Sequence, residues 1–146
     1  MAVRIISVAK QLPKFTRTTE EILPFLKVWL SGQDKRFQRK VVKLFENAGV
    51  ERRYSIMDAE DVFMNTSFEE KNALYATECT DLAEQALRKA LDKAKIDPVA
   101  LDYIITVSCT GIMIPSVDAY LINRLQLRQD IVRLPVTEMG CVAGVS

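Results

Sequence analysis

Apolar and polar positions alternate between two periods along this chain, and the periods mark its elements. Val3, Ile5, Ile6 and Val8 form a short β-branched run closed by Pro13, which predicts a first strand. Thr18 with Glu21 three residues later has the form of a capping box, opening a helix through Ile22, Leu23, Leu26 and Leu30. Pro24 is expected to kink or break it. Phe37, Val41, Leu44 and Phe45 recur with the 3.6-residue period over residues 34–47, and Gly49 follows as a stop signal, so a second amphipathic helix is expected.

The strongest periodic segment begins at Ser67, with Glu70 completing a second capping box. It carries Cys79, Leu82, Ala83, Ala86, Leu87, Ala90, Leu91 and Ala94 on one stripe until Asp97-Pro98 ends it. Tyr103 to Val107 lacks a helical polar face and predicts a buried strand. Gly111 and Pro115 punctuate a loop, Val117, Tyr120, Leu121, Arg124 and Leu125 predict a short helix, and Ile131 to Leu134 begins another strand. Pro135 inside that strand implies a bulge or an edge. Strand, helices, strand, helix, strand is the order of an α/β fold with a largely parallel sheet. No repeat or linker divides the chain, so residues 1–146 read as one incomplete domain: the small-residue turn Gly140-Cys141-Val142-Ala143-Gly144 should lead into a helix that the sequence does not continue.

Composition narrows the function. The chain has 146 residues, 49% of them hydrophobic, and a net charge of +1, a balance that argues against a dedicated nucleic-acid binder. No apolar run approaches the ~18 residues of a membrane span, and no secretory leader is recognisable, so a cytoplasmic protein is expected. Charge is nevertheless uneven: residues 34–53 carry seven basic and three acidic side chains, whereas residues 58–102 are acidic overall. Local positive charge points to a small anionic ligand. Three widely spaced cysteines, Cys79, Cys109 and Cys141, suit neither a disulfide framework nor a metal cluster, so no metal is expected. The chain contains no histidine, and thus no Cys-His dyad of its own.

Three features could carry chemistry. Cys141 follows a strand and stands at the expected N-terminus of a helix, where partial positive charge lowers a thiol's pKa; it suits a nucleophile, or else a buried structural cysteine. Cys79, on an apolar helical stripe, reads as core. Arg36, Arg39, Lys40 and Lys43 share one helix face by their spacings of three and four; such a face can hold phosphates, or simply be solvated. Cys109-Thr110-Gly111, at the exit of a strand, could line a pocket at the sheet's carboxyl edge or be an ordinary strand end.

Taken together, these segments resemble the N-terminal part of type III polyketide synthases, the chalcone synthase-like branch of the thiolase fold, and most of all bacterial members. The resemblance rests on Arg36-Phe37-Gln38-Arg39 with Lys43, on Arg52-Arg53-Tyr54, on Cys109-Thr110-Gly111 with Ile114-Pro115-Ser116-Val117-Asp118, and on Gly140-Cys141-Val142-Ala143-Gly144, in family order. It implies the N-terminal half of a thiolase-like layered α/β/α/β/α fold. It further implies that Cys141 is the acyl-accepting nucleophile, that Arg36, Arg39 and Lys43 bind coenzyme A phosphates, and that Cys109 and Thr110 line the starter pocket. Ile114, ahead of a cis proline, would reach into the twin subunit's cavity in a homodimer. Acyl-CoA and malonyl-CoA would be substrates, with no cofactor, and the family's His and Asn would lie in a C-terminal half outside this sequence. Glu138-Met139 replaces the plant enzymes' Gln-Gln, which argues against a plant-like flavonoid substrate. Two alternatives stand beside this reading: a single-condensation 3-oxoacyl-(acyl carrier protein) synthase III, and a non-catalytic fragment or interaction domain.

Overall fold

The computed structural model describes residues 2–64, 67–137, 139, 140 and 142. The Cα positions cluster into two compact units, Leu12–Thr66 and Met1–Gln11 with Ser67–Ser146.

In the first of these, strand β1 (Phe15–Thr18) leads directly into helix α1 (Thr19–Trp29). The Thr18 side chain accepts from the Glu21 amide at 3.2 Å, and the Glu21 carboxylate accepts from the Thr18 amide at 2.7 Å, so the anticipated capping box is present. Helix α1 runs through Pro24 without a break, since proline removes one donor and leaves the rest of the ladder intact. Helix α2 (Lys35–Glu46) is capped by Asp34 and stops before Gly49, whose φ of +66° places it in the left-handed region glycine favours. Leu44, assigned to the apolar stripe by spacing, is exposed.

Strand β2 (Arg52–Ser55) pairs antiparallel with β1, with Phe15 opposite Ser55 and Thr18 opposite Arg52, and a single turn, α3 (Ala59–Val62), follows it. Arg17 makes two bonds to Asp58, at 3.0 and 2.9 Å, and the same carboxylate caps α3 through the Ala59 amide. Arg53 stacks 3.8 Å above the Phe45 ring and donates to the Thr19 hydroxyl at 2.6 Å. It thus ties β2 to both helices, a structural task for one member of the Arg52-Arg53-Tyr54 motif.

The second unit is built on helix α4 (Phe68–Ala94), opened by the Ser67–Glu70 capping box and ended by Lys95 in a left-handed conformation. Strands β3 (Tyr103–Ser108) and β4 (Val132–Thr137) are parallel and in unbroken register, with helix α5 (Val117–Arg124) crossing between them. Pro135 lies opposite Thr106 without a bulge; in a two-stranded sheet every strand is an edge, so the missing donor costs no ladder bond to a third strand. Ile104, Val117, Leu121, Leu125, Leu127 and Ile131 form the core, and Cys79, Ala83 and Leu87 of α4 pack against it.

Two sequence expectations fail here. Residues 3–8 are not a strand: among the described residues they have no ladder partner, and Val3, Ile5, Ile6 and Val8 are exposed. The Ser7 hydroxyl instead donates to the Ala90 carbonyl of α4 at 2.7 Å. Strand β3 is not buried throughout, because only Ile104 faces the core while Tyr103, Ile105 and Val107 point to an open face. A β-branched run measures fitness for a sheet, but sheet formation and burial both need neighbours that the run itself does not contain.

Candidate functional site

Helix α2 supplies the cationic face. Its first turn holds no acidic side chain; Asp34 alone satisfies it, accepting from the Arg36 and Phe37 amides at 3.1 and 2.9 Å. Those two amides hold the Asp34 carboxyl below its ordinary pKa. Arg36, Arg39, Lys40 and Lys43 then follow at helical spacing, and among the described residues none of them enters an ion pair. Arg39 is steadied from within the helix, its Nε donating to the Lys35 carbonyl at 3.3 Å. Arg39 and Lys43 border an open depression of ≈ 550 Å³ together with Lys27, Gln38 and Glu46. Arg36 lies one turn earlier on the helix and outside that depression. Lys27 was not singled out by sequence reasoning, because its approach to α2 depends on how α1 and α2 pack.

The other predicted residues sit on the loop between β3 and α5. Cys109 and Thr110 are exposed, and Ile114 is 93% exposed ahead of a cis Ile114-Pro115 bond. Helix α4 grips the start of this loop. The Asn72 side-chain amide donates to the Ile112 carbonyl and accepts from the Ile112 amide, both at 2.8 Å. One turn on, the Tyr75 hydroxyl bonds to the Ser108 hydroxyl, and the Tyr75 ring fills the space that a Cβ on Gly111 would need. Burial lifts the Tyr75 phenol above its ordinary pKa, with the Ser108 bond acting against it.

The end of the loop is held by charge. Asp118 in the first turn of α5 is fully buried, and its carboxylate accepts from the Thr106 hydroxyl at 3.3 Å, the Ser116 hydroxyl and Arg133 Nε. Burial alone would raise its pKa, but the Ser116 and Arg133 bonds outweigh that and hold it low. Asn72, Tyr75 and Arg133 escaped sequence reasoning, since each acts on a partner far away in the chain. The one local hint was Gly111, a glycine at a position whose φ does not demand one.

Cys141 lies outside the described residues. Its neighbour Gly140 is described and has φ +61°, so the chain turns through the left-handed region three residues after β4 ends. Among the described residues no group of His, Cys, Asp or Glu side chains is placed to hold a metal ion, and no helix is long and apolar enough to cross a membrane.

The family described as "Chalcone and stilbene synthases, N-terminal domain" matches residues 2–146. The chain is 32% identical to 1,3,6,8-tetrahydroxynaphthalene synthase of Streptomyces griseus over 133 residues, which is 91% of this chain and 35% of that protein. It is 32% identical to phloroglucinol synthase of Pseudomonas fluorescens over 71% of its own length and 30% of the relative's. The crystal structure of the Streptomyces coelicolor tetrahydroxynaphthalene synthase, a bacterial type III polyketide synthase, superposes with a TM-score of 0.84 at 31% identity, covering 93% of this chain and 38% of that one. This chain therefore spans about a third of the length of these relatives.

Proposed function

Because the chain belongs to the chalcone and stilbene synthase family, as its N-terminal domain, we propose that it forms part of a type III polyketide synthase that loads an acyl group from acyl-CoA onto Cys141 and extends it with malonyl-CoA. The observation that carries the coenzyme A part of this reading is the unpaired cationic face of α2. Arg17, Arg88, Arg124, Arg128 and Arg133 each have a carboxylate partner; among the described residues Arg36 and Arg39 have none, as is also true of Arg4, Arg52 and Arg53, but only Arg36 and Arg39 share a helix with Lys40 and Lys43. Guanidinium groups left free on one face match the phosphates of a coenzyme A thioester, which they can bind by paired N–H donors.

In the proposed reaction the Cys141 thiolate attacks the acyl carbonyl carbon, and the coenzyme A thiolate leaves. Malonyl-CoA then loses CO₂, and the resulting enolate attacks the Cys141 thioester, forming a carbon–carbon bond and releasing the cysteine. Splitting the condensation in two lowers the barrier of each half. Cys109 and Thr110 border the acyl pocket in this reading. The exposure of Ile114 supports a homodimer in which it inserts into the twin subunit. The substrates serve without a further cofactor, and a reducing cytoplasm would keep the thiols free.

The test is to incubate the protein expressed from its complete gene with acyl-CoA and malonyl-CoA, and to map acylated peptides by mass spectrometry. An acyl group on Cys141, absent from Cys141→Ala, is expected; coenzyme A release that survives in that variant would overturn the assignment. Counting malonyl units per product separates repeated from single condensation.

A further inference from the structure

The loop bearing Cys109 and Thr110 is shaped by one face of α4. Asn72 and Tyr75, one helical turn apart, hold it at Ile112, Ser108 and Gly111. The Tyr75 contacts are of two kinds. Its hydroxyl fixes the last residue of β3, and its ring determines how closely the backbone at Gly111 can approach the helix. A Cβ built at Gly111 would overlap the ring's Cγ, Cδ1 and Cε1, which belong to its stiff near side rather than to a flexible tip. Cys109 and Thr110 are exposed and lie between Ser108 and Gly111, the two residues that Tyr75 touches. Loop position and ring size are therefore coupled: a loop that moves toward or away from α4 carries Cys109 and Thr110 with it.

We propose that Tyr75 is a positioning residue that determines acyl-chain preference by setting how far the Cys109–Gly111 loop stands off α4. The inference rests on the reading that Cys109 and Thr110 border the acyl pocket. Tyr75 acts through the loop, by its contacts with Ser108 and Gly111. Removing its ring lets the loop settle onto the helix, whereas adding a methyl at Gly111 forces the loop outward. The two perturbations act in opposite directions through one contact, and combining them restores the fit because the new methyl occupies the vacated space.

The experiment compares kcat/KM for octanoyl-CoA and acetyl-CoA, with malonyl-CoA as extender, in the protein expressed from its complete gene. Tyr75→Ala is expected to shift the octanoyl-to-acetyl ratio about fivefold or more, and Gly111→Ala to shift it by a similar factor in the opposite direction, effects of the size seen when a pocket gains or loses a methylene. The double variant should return to within about twofold of the wild type, as coupled neighbours do. Tyr75→Phe keeps the ring that sets the stand-off and guards against loss of folding; it should move the ratio less than Tyr75→Ala does. Tyr120→Phe, on α5, should leave the ratio unmoved. Loop position is also read without substrate, by the alkylation rate of Cys109 with iodoacetamide, expected to change about threefold or more in Tyr75→Ala as thiol access changes. An active wild type whose ratio moves in neither variant, or moves the same way in both, overturns this inference alone, as does an unaltered Cys109 rate. A wild type that releases no coenzyme A from either ester overturns the acyl-transfer reading and the preference with it.

Discussion

Replacing Asp118 by Asn keeps the size of the side chain and removes its charge, at a position where the structure sets the cost. The carboxylate is fully buried and accepts from three donors, Thr106, Ser116 and Arg133. Asn offers one acceptor oxygen and turns an NH₂ toward at least one of these donors, so one charge-assisted bond, worth ~1.5–3 kcal/mol, is lost and a donor faces a donor. Breaking a fully buried ion pair costs ~3–5 kcal/mol. The Arg133 side chain is 42% exposed and regains water, which places Asp118→Asn nearer ~2–3 kcal/mol after allowing for that screening. With a urea m-value of ~1–3 kcal/mol/M, the denaturation midpoint should fall by roughly 0.7–3 M while the slope stays constant. The pH dependence has a definite sign. The folded carboxyl titrates below its unfolded value of ~3.9, so its contribution is complete above that pH and disappears as pH falls through the folded pKa. The gap between wild type and Asp118→Asn should therefore be full at pH 7 and close under acid. Equal stability at pH 7, or a gap that persists undiminished in acid, would refute the reasoning.

Gly140→Ala should destabilise by ~1–2 kcal/mol through its left-handed backbone, since no described residue stands within 4 Å of the added Cβ; thermal denaturation checks it, and an unchanged midpoint would count against the φ of +61°. Arg39→Ala and Lys43→Ala should each raise KM for acyl-CoA about tenfold with little change in kcat, and the wild-type KM should climb with salt, whereas salt-insensitive kinetics would return the α2 face to plain solvation. Iodoacetamide mapping should order the thiols Cys141, Cys109, Cys79, because Cys109 is exposed and Cys79 is packed against the core; faster labelling of Cys79 than of Cys109 would contradict that packing.

How much of this molecule was legible from its residues follows from the range of the forces involved. Helices α1 and α4 were readable to their first residues, since Thr18–Glu21 and Ser67–Glu70 complete their hydrogen bonds within three positions. The cations of α2 were readable for the same reason, helical spacing being a local property. The strands were legible only in part. Tyr103–Ser108 and Val132–Thr137 announced themselves by composition, but Val3–Val8 did so equally and found no partner among the described residues, while Phe15–Thr18 and Arg52–Ser55 paired although every residue but Phe15 and Tyr54 is polar or charged. Pairing is decided between segments, and so are the grip of Tyr75 on Gly111 and of Arg133 on Asp118. Sequence alone determined the local elements and the residues able to do chemistry; the tertiary structure decided which strands exist, which face stays open and what holds the loop, because those contacts join residues that chain position does not relate.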